Sequence, residues 1–417
     1  MVTILAAVII VSALTCSVMA EMQERKSNDA NLHVFMEGTL EPKSRKDIQK
    51  INRMASDFVH EVTFVIQQRN IPELTVILND VSDPSSINYG RHMTKQEVAD
   101  MTSNNEARGA VISHLTLSGA TIVAETLNGE YVTANASISV WEDMFNTQFF
   151  MFHQFVDDKH TGKFVRAESY SIPSSLQLHV AGVFNTIQMP HHSLGGSMTH
   201  VEGKRDAEDF ALTATGSMTP AKLRKFYNVG DTKGSTLSTQ AIFAKNMQYF
   251  SPSDLTTFQM DAGLPLQKVA NVTGGHSTDT LCISSPALCF DGNTEIQYIM
   301  ATSPISPTTF WYSNSSWSAW IMSVANTANP PLVFSMTYGD EEDSVSKAEK
   351  DAFNTEAIKL GAMGVTIVVE SGRNGAVSSL TRTKGQDGCY YAPLFPATNP
   401  YVTVVGATSV SVAMDLS

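Results

Sequence analysis

Positive charge is scarce in this sequence: 28 Lys and Arg face 41 Asp and Glu, a net −13 over 417 residues. So acidic a chain has no electrostatic footprint for nucleic acid, which excludes that class of partner. Charge of either sign is thin, at 17% of residues, while 42% are hydrophobic. That balance excludes a largely disordered chain. Internal repeats and low-complexity tracts are missing. Beyond the first twenty residues, no run approaches the roughly 18 uncharged apolar residues that a membrane-spanning helix needs. Protonating all 11 His would cut the net charge from −13 to about −2, so self-repulsion falls sharply in an acidic compartment. At about 150 residues per domain, the length predicts two or three domains.

Residues 2–20, VTILAAVIIVSALTCSVMA, carry no charged side chain and end in Val18-Met19-Ala20, followed by Glu21. This predicts a signal peptide over 1–20, with an uncleaved anchor as the rival reading. Three Asn-x-Ser/Thr triplets, at Asn135, Asn271 and Asn314, are then candidate glycosylation sites. Cysteine is sparse, four in all. Cys16 leaves with the signal. Cys282 and Cys289 stand seven apart across a Pro-containing loop and are a candidate disulfide, which leaves Cys389 over.

Residues 21–45 are polar and expected to be loose. One folded unit is expected over 46–190. IQKINRMASDFVHEVTFVIQQ passes from a helical pattern into a strand, and ELTVILNDVSDPSSINYG reads as a helix closed by a turn at Ser82-Asp83-Pro84. Thr94 and Glu97 have capping-box spacing. ATIVAETLNGEYVTANASISV reads as two strands about Asn128-Gly129, and WEDMFNTQFFMF as an amphipathic segment. Helices alternating with antiparallel strands predict a small α+β sandwich. Residues 191–217 are dense in Gly, Ser and Thr without apolar periodicity and read as a linker. His191, His192 and His200 fall there without a matching donor set, so no metal is expected. Lys204-Arg205 is a dibasic candidate processing point. From 218 a second unit begins. NPPLVFSMTYG, VTIVVES and YVTVVGAT read as strands around a long helix that ends at Gly364, which predicts a parallel sheet covered on both faces.

Taken in order, these segments resemble the sedolisins, or serine-carboxyl peptidases. HEVTFVIQQRNIPEL, SDPSSINYGRHMTKQEVADM and FNTQFFMF look like the family's activation prodomain. MTPAKLRKFYNV, QYFSPSDL, TEIQYIM, YGDEEDS, NTEAIKLGAMGVTIVVESG and FPATNPYVTVVG look like its catalytic domain. The resemblance implies a ferredoxin-like prodomain over 46–190 and a subtilisin-like parallel-sheet domain, incomplete, over 218–417. It further implies a secreted or lysosomal peptidase proprotein working on peptides in acid, with its own prodomain as intramolecular partner and no membrane contact once the signal is cleaved.

The family uses a Glu as general base to a Ser, an Asp four residues on to orient it, and a further Asp at the oxyanion. The i, i+4 spacing sets both carboxylates on one helix face. Here the pair falls on Asp291 and Glu295 with the two acids swapped. Asp for Glu withdraws a carboxylate by about 1.5 Å, and a misplacement near 1 Å costs on the order of 10²-fold in rate. The plainer alternative is two acids favoured at a helix start by the dipole. The oxyanion position falls on Arg373, whose fixed charge is expected to hold the two acids ionised. Gly406-Ala407-Thr408-Ser409-Val410-Ser411 mimics the nucleophile motif but follows a core strand directly, so Ser409 reads as coincidence and no nucleophile is assigned. The family's Ser-bearing helix and calcium loop have no counterpart before Ser417, so no cofactor is expected. An inactive homologue is the expectation. The alternatives are a prodomain-based inhibitor or chaperone of an active relative, and a shortened gene model of an active enzyme.

Overall fold

The computed structural model describes residues 32–38, 47–156, 159–190, 219–245, 247–313, 316–372 and 391–406. Two compact units form. The first takes 1–69, 103–189 and 346–348; the second takes 70–102, 190–345 and 349–417. The segments 1–20 and 191–217, and residues Asn314, Arg373, Cys389 and Ser409, lie outside the described residues.

The strands in chain order are β1 (His33–Gly38), β2 (Ile48–Arg53), β3 (Val59–Ile66), β4 (Thr121–Glu125), β5 (Tyr131–Ser137), β6 (Phe149–Val156), β7 (Lys159–Ala167), β8 (Ser169–Pro173), β9 (Val180–Phe184), β10 (Gln240–Ala244), β11 (Asn271–Thr273), β12 (Thr308–Tyr312), β13 (Val333–Met336), β14 (Asp340–Glu341), β15 (Thr366–Glu370), β16 (Leu394–Phe395) and β17 (Thr403–Val405). The helices are α1 (Ile71–Ser82), α2 (Lys95–Thr102), α3 (Asn105–Leu117), α4 (Ile138–Phe145), α5 (Pro220–Phe226), α6 (Pro252–Asp261), α7 (Asp279–Ser284), α8 (Phe290–Thr302), α9 (Trp317–Ala325) and α10 (Lys347–Ala362).

In the first unit, β4-β5-β3-β9 form a four-stranded antiparallel sheet. α3 lies between β3 and β4 in the chain, and α4 between β5 and β9, which is the βαββαβ order of a ferredoxin-like fold. Val62, Phe64, Val111, Leu115, Trp141 and Phe145 are buried together in its core. The Trp141 indole donates to the His60 carbonyl at 2.8 Å and so satisfies its one polar atom. A second sheet, β2-β6-β7, is antiparallel too.

Two local expectations need correction. Ile48–Arg53 is a strand, not the start of a helix. Its Ile48 and Ile51 have helical i, i+3 spacing, but pairing with β6 decides the conformation. The segment WEDMFNTQFFMF is also not one element. Asn146, left-handed at φ 47, ends α4, and the chain continues as β6.

In the second unit, six strands lie parallel in the order β11-β12-β10-β13-β15-β17. β10, QAIFA, is buried at every position, as a strand covered on both faces requires. Ile242, Leu255, Ile296, Met300 and Phe310 join β10, α6, α8 and β12 in one apolar cluster. The sequence thus reads correctly as a mixed α/β chain, antiparallel first and parallel second. Among the described residues no helix is long and apolar enough to cross a membrane.

Candidate functional site

The strand order of the parallel sheet reverses at β10. β12 and β11 lie to one side, and β13, β15 and β17 to the other. In open parallel sheets the crevice beyond the carboxyl ends at such a reversal is where ligands bind. Three pieces of chain meet this edge: the turn after β10, the turn after β13, and the start of α8.

Helix α8 carries Asp291 in its first turn and Glu295 one turn on, on one face, as the i, i+4 spacing predicts. Its start is held from several sides. Cys289 precedes the helix and is joined to Cys282 of α7, with an S–S distance of 2.02 Å. Gln248 accepts from the Asp291 amide at 3.2 Å and donates to the Ala287 carbonyl at 3.3 Å, which satisfies an orphan donor of the first turn. Gly292 lets the chain come close, because a Cβ there would stand 2.2 Å from the Tyr249 carbonyl oxygen. Asn293 accepts from the Ser251 amide at 2.8 Å and donates to Asp254 at 2.9 Å, fixing α8 to α6. Asp279 accepts from the Ser253 amide and from the Ser251 and Ser253 hydroxyls, and the Ser253 amide above all holds it below the usual carboxylate range.

Both acids are half-buried. The Glu295 carboxylate accepts from the Thr337 hydroxyl, directly after β13. The structure therefore sets one acid of the pair against the carboxyl end of a central strand and the other a turn closer to the helix start. Arg373 lies outside the described residues, so its expected effect on this pair rests on sequence alone.

Sequence reasoning missed the most buried charges at this edge. Lys245, the first residue after β10, pairs with Asp340 of β14 at 2.7 Å, with side-chain exposures of 4% and 2%. The Trp317 indole donates to the same carboxylate oxygen at 2.8 Å, and the ammonium sits 4.6 Å from that ring's centroid. A signal was present. Lys245 directly follows the apolar run AIFA, and Asp340 lies within YGDEEDS, a segment singled out for another reason. The turn between Lys245 and Tyr249 is also unusual. Met247 is left-handed at φ 57 and 57% exposed, a strained conformation for a side chain of its type. Beside it His276 is stacked between Tyr249 and Tyr312, at 4.3 Å and 3.3 Å between centroids. Burial raises the Tyr312 phenol, and the Met247 amide opposes that shift.

Of the other predicted residues, Asn271 is exposed on β11. Asn135 is half-buried on β5, between β3 and β4. Among the described residues no group of three or more His, Cys, Asp or Glu is placed to hold a metal ion.

An antiparallel ferredoxin-like unit in the same chain as a parallel sheet, with an acid of α8 set against the carboxyl end of that sheet, defines a two-unit α/β protein. Residues 46–189 match the model of the Pro-kumamolisin activation domain. The chain is 29% identical over 367 residues to tripeptidyl-peptidase 1 of Pongo abelii, covering 84% of this chain and 61% of that protein. It is 28% identical over 417 residues to tripeptidyl-peptidase 1 of Dictyostelium discoideum, covering 90% of this chain and 66% of that protein. A solved Pseudomonas sedolisin, complexed with two molecules of pseudo-iodotyrostatin, aligns with TM-score 0.35 and 21% identity over 45% of this chain and 52% of that one, too loosely to carry an argument. The chain thus carries a Pro-kumamolisin-type activation region over 46–189 and is similar to tripeptidyl-peptidase 1 over most of its length. It spans 61% of the length of the primate relative.

Proposed function

We propose that this chain is a tripeptidyl-peptidase-like proprotein of the secretory or lysosomal route whose acid pair no longer supports peptide hydrolysis. The observation that carries the reading is the placement of Glu295. It engages Thr337 at the carboxyl end of β13, where a helix-borne acid would face a substrate, yet it occupies the second position of the pair. The shorter Asp291 then stands where the family's resemblance expects the base. A carboxylate withdrawn by about 1.5 Å is a large error for proton transfer, which needs hydrogen-bond reach. By the same resemblance the oxyanion position falls on Arg373, a permanent positive charge in place of an acid. The Cys282–Cys289 disulfide suits an oxidising lumen. So do a signal segment at 1–20 and glycosylation at Asn135, Asn271 and Asn314. On this reading 46–190 is the activation prodomain, 191–217 the linker and 218–417 the catalytic-domain portion.

The test is hydrolysis of a tripeptidyl reporter peptide at about pH 4, the range in which a paired-acid site works. The purified chain and its Asp291→Ala and Glu295→Ala variants are expected to be equally inactive. Turnover that either substitution abolishes would show a working site and overturn the reading. A second reading, in which the activation unit inhibits or chaperones an active relative, is favoured by the intact ferredoxin-like strand order of that unit. Dose-dependent inhibition of an active sedolisin by the chain separates the two.

A further inference from the structure

Residues 70–102 fall inside the activation-domain match, yet they cluster with the parallel-sheet unit. Leu74 and Leu78 of α1 and Val98 of α2 are buried against Ile358 and Ala362 of α10. Two glycines make room for them. A Cβ at Gly361 would lie 2.7 Å from a Leu78 methyl, and one at Gly364 would lie 2.7 Å from the His92 ring. Side chains at those positions would hold the helix pair off.

The polar contacts are as specific. A helix ends with carbonyls that lack intrahelical donors and with the negative end of its dipole. At the end of α9 the Lys95 ammonium donates to the Ala325 carbonyl at 2.8 Å and to the Thr327 carbonyl. At the end of α10 the Met93 amide donates to the Ala362 carbonyl at 2.9 Å. Met93 and Lys95, with one residue between them, thus close the C-termini of two helices, and the cation sits where the dipole favours it. The same stretch opens α2. Thr94 and Glu97 exchange capping-box bonds, amide to carboxylate at 2.7 Å and amide to hydroxyl at 3.2 Å.

We propose that residues 92–95 are a clamp that couples the order of the α1–α2 pair to the last turns of α9 and α10. Those two helix ends form a docking surface, and its occupant is the 70–102 segment of the same chain. The surface offers two carbonyl ends and the space at Gly361, which the occupant fills with the Lys95 ammonium, the Met93 amide and Leu78. This inference goes beyond the proposed function and does not rest on it.

Hydrogen exchange of the full chain, read by mass spectrometry at pH 7, tests the coupling. Lys95→Met is expected to speed exchange about tenfold in peptides from 71–102 and, by a similar factor, in those covering 321–327 and 358–364. Peptides from β10 should stay unchanged, and Lys95→Arg should restore most of the protection. Faster exchange in 71–102 alone, or in none of these peptides, would overturn the proposal. Should Lys95→Met unfold the unit, the unaltered chain in 1 M NaCl supplies the second measurement. Salt screens an ammonium–dipole contact, so the same three regions should speed up together, and a lack of joint change would overturn the proposal equally. Peptide hydrolysis is not read, so loss of the functional reading leaves this test intact.

Discussion

His60 is the side chain whose protonation bears most directly on the first unit. It is 7% exposed, its Nε2 lies 2.9 Å from the Asn185 carbonyl, and its ring lies 5.4 Å from that of Phe149. Burial pushes its pKa down to about 4. The Arg166 guanidinium adds to that shift and the Asn185 carbonyl opposes it. The folded unit therefore holds fewer protons than the unfolded chain between about pH 6.5 and pH 4. Stability is full above the upper value, falls as the pH drops through the window, and levels off below it. The loss approaches ~3 kcal/mol. Urea unfolding of the first unit at pH 7 and at pH 4.5 should show the fall, and His60→Gln should flatten it. Lys245 is a second such residue. Removing one partner of a buried ion pair leaves an uncompensated charge, so Lys245→Met should cost about 3–5 kcal/mol in urea unfolding, and adding Asp340→Asn should recover much of it. The burial of His60 and Lys245 comes from strands and turns distant in the chain, which no local pattern encodes.

Among the elements, α8 shows what linear spacing can and cannot tell. The spacing of Asp291 and Glu295 was legible, because 3.6 residues per turn fixes a common face for i and i+4. The partners that hold this helix, Thr337, Gln248 and Ser251, come from other segments and were not legible. The disulfide from α7 anchors the start of this helix. Closing so short a loop is worth roughly 2–3 kcal/mol in the chain-entropy view. Cys282→Ser with Cys289→Ser should therefore lower stability by about that much. It should also speed hydrogen exchange first in the opening turn of α8, which hydrogen-exchange mass spectrometry reads directly. The capping box at Thr94 was legible because it is a contact within four residues. The strand at Ile48–Arg53 was misread because i, i+3 apolar spacing over six residues fits either structure until a partner strand is known.

For the whole molecule, composition and pattern determined the class: an acidic α/β chain with antiparallel strands first and parallel strands later. Hydrophobic periodicity, turn residues and caps are local, so they survive in a linear reading. The tertiary structure alone decided how that material is shared out. Residues 70–102 follow β3 directly in the chain but are buried against α10, because Leu74, Leu78 and Val98 find their apolar partners there and Lys95 finds two carbonyls. It alone decided that a lysine and an aspartate 95 residues apart meet at the carboxyl edge of the sheet. A contact between distant residues exists only once the strands that carry them are in register, and that register is set by burial summed over the whole unit.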